Sequence, residues 1–557
     1  MPHSCMRRAA FVVVIAFVLG VVSPPAWAVP VGTPPPVQYT GRVYPADSPT
    51  DEDFGYSVAI DGNTAVVGAP EYNGTGAVFV YEYTAAGWIF DEQLVSDADA
   101  GEHFGHSVDI DGDVIIVGAP YGDYGSGNTG YAMCYQRGPS SWTYLSGLEP
   151  EADSLSDLFG WSVAVDGDTA VVGSPRDDWI APDAGAIYVF TRDDPSYEKW
   201  TAGASETGSQ FGTSVDIAGG WIIAGAPYDD NAGGTDAGFA NTYYKDITGW
   251  HYNRTLLCSD PEANNWFGYA VSTNGTTAMV GAFRYHVTFY PEAGLVDVFT
   301  RSGSGSTAVW PRTQALIAPD PDENDNFGKS VSVKGGFALV GAPWDDSYAG
   351  SVHVYQNTGG AWTLLQKVTP LPGDSLVGFS VAASSEGRGI VGNVNGSGVV
   401  PSSGTACMLA HLDPVYRFYN PGAGTHFFTS SAAERDHVIA TWPGVFTYEG
   451  PAYSVNPHNN KQPLYRFYKP SSSSHFYTAS TAERDHVLAT WPHIYQYDGP
   501  TYTVTPSAET AKLPVYRFYN VRNGSHFYTA SATERDHVIA TWPGIYSYEG
   551  PAFWLGQ

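Results

Sequence analysis

Six times between Phe54 and Phe327 the chain writes Phe-Gly, a short hydrophobic run and a Gly-Ala-Pro-like turn. Phe54-Gly55-Tyr56-Ser57-Val58 leads to Val67-Gly68-Ala69-Pro70, and the unit starts again at Phe104, Phe159, Phe211, Phe267 and Phe327. A worn seventh copy opens at Val377-Gly378-Phe379-Ser380-Val381. Starts are 50, 55, 52, 56, 60 and 50 residues apart. Repetition at that period implies a stacked or closed array, because one unit cannot bury its apolar face alone.

Each unit reads as four short strands. Tyr56 to Ile60 alternates, and Asp61-Gly62-Asn63 is a tight hairpin turn. Thr64 to Gly68 is β-branched and ends at Ala69-Pro70; Ala77 to Tyr81 and Trp88 to Val95 supply the third and fourth strands. Four antiparallel strands repeated about seven times is the blade pattern of an all-β propeller. The glycines of Phe-Gly and Gly-Ala-Pro permit close backbone packing near the axis. The seventh copy offers Phe379 to Ala383, Gly389 to Asn393 and Thr405 to Leu409, but no fourth strand. Thr40 to Tyr44 supplies one at the other end of the chain, so the expectation is a seven-bladed ring over residues 37–412, with no open sheet edge.

The first 28 residues read as an export signal: Arg7-Arg8, an apolar run from Ala9 to Val22, then Ala26-Trp27-Ala28 at the cleavage point. Residues 29–36 form a Pro-rich linker. No other segment is long and apolar enough to span a membrane, so the reading is a secreted or cell-surface protein. The formal charge is −31, and nearly all of it lies upstream of Asp413, where 413–557 holds 10 Lys/Arg against 11 Asp/Glu. Such a surface repels nucleic acid and anionic lipid and favours cations or basic partners. Cys134, Cys258 and Cys407 are an odd number far apart, which points to small buried hydrophobes in strands.

With both the Phe-Gly and the Gly-Ala-Pro elements in place, the first two-thirds of the chain resembles the FG-GAP repeat of integrin α-subunit propellers and of many secreted bacterial proteins. The resemblance implies an extracellular binding or adhesion scaffold. It does not extend to the calcium loop of integrin-like repeats. Asp61-Gly62-Asn63, Asp111-Gly112-Asp113 and Asp166-Gly167-Asp168 are too short to wrap six or more oxygens around calcium.

From Asp413 a different unit appears three times, over about 414–457, 463–506 and 514–557. Val415 to Asn420 recurs as Leu464 to Lys469 and Val515 to Asn520, each followed by His-Phe-aromatic-Thr, Glu-Arg-Asp-His and Tyr-Glu/Asp-Gly-Pro. Ser431, Ser480 and Ser531 precede a Glu by three positions, the capping-box spacing, so each copy carries one short helix. Val438, Ile439 and Trp442 give that helix its apolar period. Mostly β with one helix, three copies predict a three-fold domain of β-trefoil type, with three independent modules as the alternative. The unit resembles a repeat of no assigned biochemical role in secreted bacterial proteins and hydrolases, which implies an accessory binding domain.

Three groups of side chains carry candidate chemistry. The Glu434-Arg435-Asp436-His437 string resembles an acid–base set, but Glu434 has a capping role and neighbouring helix positions point apart. A three-fold ligand site of Arg417, Tyr419 and His426, Arg466, Tyr468 and His475, and Arg517, Tyr519 and His526 could bind sugars by stacking and hydrogen bonding. Its structural alternative pairs Arg417 with Glu449 and places the aromatics in the core. In the propeller, acids gather in the loops after the second and fourth strands: Asp177-Asp178, Asp229-Asp230, Asp345-Asp346, Asp97, Asp99 and Glu102, and Asp320, Asp322, Glu323 and Asp325. Solvated charge is one explanation. Calcium held by Asp320, Asp322 and Asp325 is the other. No cofactor is required, and no phosphate loop, zinc spacing or nucleophile elbow is present. The expected function is non-enzymatic recognition of an extracellular glycan or protein. The alternatives are a hydrolase working in the propeller's central pocket, marked by convergent acids with shifted pKa values, and a structural matrix component.

Overall fold

The computed structural model describes residues 37–45, 53–84, 87–96, 101–122, 129–150, 156–192, 194–203, 206–371, 373–394, 404–455, 462–505 and 513–555. The expected export signal 1–28 and Pro-rich linker 29–36, with Asp97 and Asp99, lie outside them. Among the described residues there are seven four-stranded antiparallel sheets, then three three-stranded ones.

The first blade shows the pattern: Ser57–Asp61, Thr64–Ala69, Ala77–Thr84 and Gly87–Leu94, paired in chain order from the axis outwards. Innermost strands touch their neighbours in a closed ring, the last (Val377–Ala383) against the first (Ser57–Asp61). Closure comes from the N-terminal strand Val37–Val43, which pairs antiparallel with Thr405–His411 and completes the seventh sheet. Val37 and Val43 are buried there.

The repeated residues make the joints between blades. Phe54, Phe104, Phe159, Phe211, Phe267 and Phe327 are each 0% exposed, and each backbone bridges the preceding blade, ending with Phe54 against Gly404. The glycine pairs sit where backbones meet: a Cβ on Gly68 would lie 2.1 Å from the Gly105 carbonyl, and Gly105 itself has φ +91°. Beside them Ser57, Ser107, Ser162, Ser214, Ser330 and Ser380 each donate a hydroxyl to a Gly carbonyl of the next blade, at 2.8 to 2.9 Å. Only the fifth blade lacks this latch, having Ala270 at the position. The hairpin acids latch the far end: Asp61, Asp111 and Asp166 accept from the backbone N–H of Gly112, Gly167 and Gly219 at 2.7 to 2.8 Å. Those hydrogen bonds connect inner strands that share no backbone ladder.

In the C-terminal part each copy is one sheet and one helix. Asp413–Asn420 is the central strand, flanked by Thr425–Thr429 and Thr447–Val455, with the helix Ala432–Thr441 between those two in sequence. The same order recurs around Gln462–Lys469 and Leu513–Asn520. The strands Thr425–Thr429, Ser474–Thr478 and Ser525–Thr529 meet one another about a pseudo-three-fold axis. One core takes Val415, Phe428, Leu464, Tyr477, Val515 and Tyr528, two from each copy, so the copies are not independent modules.

The β-trefoil expectation needs correction. A trefoil hydrogen-bonds strands of different repeats into one barrel, whereas here each described sheet is confined to its own copy, with three strands rather than four. Among the described residues the copies share one backbone bridge, Thr505 with Trp554 at 2.9 Å for both bonds, and otherwise meet through side chains. The helix also differs from its apolar pattern: Val438 is 4% exposed, but Ile439 and Trp442 are 43% and 44% exposed. A ten-residue helix, just under three turns, lying on a small sheet leaves one inward position.

Candidate functional site

The residue after the Gly of each Phe-Gly unit lies at the start of the innermost strand, immediately before it in six blades and within Val377–Ala383 in the seventh, so seven such residues surround the axis at one end of the ring. They are Tyr56, His106, Trp161, Thr213, Tyr269, Lys329 and Phe379, and together with the following Ser/Ala and Val they line a cavity of ≈ 230 Å³. Tyr56 contacts His106 and Phe379 at ring distances of 5.0 and 5.2 Å, and His106 contacts Trp161 at 4.4 Å. Lys329 Nζ lies 3.9 Å from the Tyr269 ring centre, donates to Tyr269 Oη at 2.7 Å, and sits 4.7 Å from the Phe283 ring centre.

His106 is neutral in this setting. Its Nδ1 faces the Trp161 carbonyl at 3.1 Å and must donate, so Nε2 accepts from Tyr56 Oη at 3.3 Å. Burial pulls its pKa down to about 4. The lining thus combines aromatic faces, hydroxyls, an imidazole and one ammonium, and includes no carboxylate.

Carboxylates appear deeper, on the walls of the inner strands. Asp109 Oδ2 accepts from the Val165 N–H at 2.8 Å. Asp216 Oδ2 accepts from the Thr273 N–H at 2.7 Å and from Ser272 Oγ at 2.9 Å. Burial pushes Asp109 up to about 7 and raises Asp216, against the pull of Lys334. Lys334 is held above its ordinary value because Asp216 and Asp109 outweigh the cost of burying its ammonium. Both acids are anchored to the next blade's backbone, as latches are.

The C-terminal candidates are brought together, but between copies rather than around an opening. Arg466 makes a bidentate bond to Glu434 of the preceding copy, 3.0 Å to each oxygen, and an ion pair with Asp498 of its own at 3.2 Å. Arg517 repeats this with Glu483 at 3.2 Å and Glu549 at 2.8 Å. Arg417 closes the circle with Glu534 at 3.2 Å and Glu449 at 2.8 Å. His426, His475 and His526 lie 3.4 to 3.7 Å from the same Glu449, Asp498 and Glu549. Tyr419, Tyr468 and Tyr519 pack on those imidazoles at 5.0 to 5.3 Å. Burial, reinforced by Arg466 and Arg517, depresses His475 to about 3 and His526 to about 4.

The three arginines and three histidines are therefore joints of the three-fold unit, the histidines through ring contacts with Phe527, Phe427 and Phe476 of neighbouring copies, whereas Tyr419, Tyr468 and Tyr519 pack on their own copy and Tyr519 is 36% exposed. The Glu of each helix has two roles: the N–H of Glu434 donates to its cap Ser431 at 3.1 Å, and its carboxylate reaches Arg466. Asp436 and Arg435 pair with each other at 2.7 Å, and Arg435 lies over the Tyr416 ring at 4.5 Å. Glu434-Arg435-Asp436-His437 forms no acid–base set.

The acidic loops divide their charge. In each Asp-Asp pair the first carboxylate is buried and the second exposed. Asp177 accepts from Tyr188 Oη at 2.7 Å and pairs with Lys199 at 2.8 Å; Asp229 accepts from Ser209 Oγ at 2.9 Å; Asp345 pairs with Lys367 at 2.7 Å. Glu102 is buried and accepts from Tyr131 Oη at 2.8 Å. Solvated charge describes Asp178, Asp230 and Asp346, but not their partners. The calcium candidates do not converge: Asp320 pairs with Lys367 at 2.9 Å, and Asp325 turns inward to accept the Asp322 N–H at 2.6 Å. Among the described residues no group of three or more His, Cys, Asp or Glu side chains is placed to hold a metal ion. Cys134, Cys258 and Cys407 are free and buried.

The seven axial residues went unnoticed in the sequence because their types differ from blade to blade. The signal was their fixed place after Phe-Gly, not their chemistry.

Six stretches match the FG-GAP repeat family: residues 39–81, 91–133, 142–190, 197–243, 250–288 and 310–355. The chain carries FG-GAP repeats. The first match begins in the strand that closes the seventh blade and ends in the third strand of the first blade. The FG-GAP unit is thus offset from the blade by one strand, the offset that lets an N-terminal strand close the ring. Residues 414–555 match a domain of unknown function, DUF5648. No curated protein matches the chain. No described helix is long and apolar enough to cross a membrane.

Proposed function

We propose that this is an exported, non-enzymatic recognition protein, binding glycans or protein surfaces, with the axial mouth of the FG-GAP propeller as its binding site and the three-fold domain as an accessory. The observation that carries this reading is the lining of the axial cavity: aromatic faces beside hydroxyls, His106 and Lys329, with no carboxylate. Aromatic faces stack on sugar rings or side chains, and the polar groups orient them. Most glycosidases flank the scissile bond with two carboxyl groups, and Asp109 and Asp216 are both tied to neighbouring blades. A cavity of ≈ 230 Å³ has the size of one sugar ring or one side chain.

A glycan array probed with the secreted protein, wild type beside Trp161→Ala and Lys329→Ala, tests the proposal. Specific glycans retained by wild type and lost by both variants are expected. Wild-type binding that survives both substitutions would remove the axial mouth from the reading. Turnover of an extracellular polysaccharide by the same preparation would replace recognition with hydrolysis.

A further inference from the structure

Five of the seven blade junctions are filled by a tryptophan at one recurring place. Trp88, Trp142, Trp250, Trp310 and Trp362 each stand near the start of an outermost strand, two residues before the side chain that packs on the third strand. Each indole covers the preceding blade. Trp142 joins a cluster with Ala59 and Val66 of the first blade, Trp250 one with Ala164 and Val171 of the third, and Trp362 one with Met279 of the fifth. The backbone beside these rings is tied to the preceding blade: the main-chain N–H of Trp142 donates to Glu92 at 2.7 Å and that of Trp362 to Gln314 at 2.9 Å. A cation lies on two of these rings, Arg137 over Trp142 at 4.5 Å and Lys245 over Trp250 at 5.6 Å.

The sixth-to-seventh junction has Val37 at this place, with its N–H on Gln366 at 3.0 Å, and Phe337 stacked on His411 fills the remaining volume. The second-to-third junction has neither. Two residues before Tyr197 the sequence reads Pro195, and the cluster between these blades contains no tryptophan. A cleft of ≈ 380 Å³ opens there, walled by Val114, Cys134, Leu148, Val165 and Phe190, with Arg192 at its rim. Arg192 occupies the place of Arg137: each backbone N–H donates to a hairpin-turn carbonyl of its own blade, Asp168 and Asp113, at 2.8 Å. Its guanidinium is braced by the Gly167 carbonyl at 3.1 Å and by Asp168 at 3.8 Å.

We propose that the cleft between the second and third blades is a docking site for a tryptophan side chain of a partner polypeptide, laid against the apolar walls with Arg192 over its face. The molecule itself supplies the argument for the occupant, since the same space holds an indole at five other junctions. Apolar walls of matching shape supply the affinity, and the guanidinium favours an electron-rich ring over an aliphatic group. This site is at the hairpin-turn end of the blades and stands independently of the axial reading.

The full-length protein titrated with indole, N-acetyl-tryptophanamide and cyclohexanol tests it, by ligand-observed NMR and by thermal shift. Both indole compounds are expected to bind saturably at one site, in the millimolar range or tighter, at least tenfold better than cyclohexanol. Leu145→Trp and, independently, Ser146→Trp, both in the cleft lining, should each weaken binding at least tenfold. Trp250→Gly should add a second indole site. Absence of saturable binding to wild type, or binding unchanged in both filled variants while they remain folded, overturns the proposal. Binding of indole without binding of N-acetyl-tryptophanamide overturns the polypeptide occupant.

Discussion

The three-fold domain is one hydroxyl short of closing its central ring. Tyr477 Oη accepts the Phe428 N–H at 2.9 Å and donates to the Phe428 carbonyl at 3.0 Å. Tyr528 Oη repeats this on Tyr477, at 2.9 Å for both bonds. By the same rotation residue 428 should reach the Tyr528 backbone, but it is Phe428, whose ring meets Tyr528 edge-on at 6.2 Å. Phe428→Tyr therefore supplies a donor and an acceptor in a buried place that the other two copies already show to be sterically open. Each such bond is worth about 0.5–1.5 kcal/mol net. Two bonds, less some loss for imperfect fit, predict a gain of about 1–2 kcal/mol, or roughly 3–6 °C in the melting temperature of this domain. The reverse substitution, Tyr477→Phe, removes two bonds and leaves the Phe428 backbone groups without their partner, so a loss of about 1–3 kcal/mol is expected. Differential scanning calorimetry of the full chain measures both. A Phe428→Tyr protein that melts at or below wild type, alongside a destabilised Tyr477→Phe, would refute the equivalence of the three positions.

Three further outcomes are expected. Deleting Val37–Val43 removes the closing strand and exposes the edge of Thr405–His411; the loss of two buried valines alone costs about 3–6 kcal/mol, and an unchanged propeller melt would show that this strand does not close the ring. Millimolar calcium should stabilise the propeller no more than sodium at matched ionic strength, because Asp320 is paired with Lys367 and Asp325 with the Asp322 N–H; a calcium-specific rise abolished by Asp322→Asn would contradict this. Mild acid should separate the two parts. His475 and His526 are depressed from 6.5 to about 3 and about 4, so the unfolded chain takes up protons first and the three-fold domain loses stability as pH falls from about 6.5 towards 4. In the propeller His106 and His353, both lowered to about 4, act in the same direction. Asp109, raised to about 7, and Asp229 and Asp325, raised to about 6, bind protons first in the folded state and gain stability over that window. The propeller transition should thus change less between pH 7 and 5 than the other, which the Phe428→Tyr shift identifies; equal losses in both would contradict the assignment.

The fold was legible in the sequence wherever a residue's role depends on its own strand or turn. Phe-Gly and Gly-Ala-Pro recur because each blade needs a buried ring and bare backbone at its joints, and that demand is local. Ser431, Ser480 and Ser531 announce their helices for the same reason, a cap being satisfied within three residues. Partnership between copies was not legible, because it depends on the rotation that relates one copy to the next. Arg417 meets Glu534, 117 residues away, only because three sheets close a circle. The trefoil expectation failed on the same point: three-fold repetition is written in the chain, but whether the copies pool their strands into one barrel or keep a sheet each is not. Tyr56, His106, Trp161, Thr213, Tyr269, Lys329 and Phe379 share a site because seven blades share an axis. Sequence by itself determined the blades, their number and their closing strand, through periods that alternation and turn geometry impose. Tertiary structure alone decided which side chains face the axis, which acids are buried beside cations, and which junction lacks its indole, since each is fixed by the packing of one blade against another.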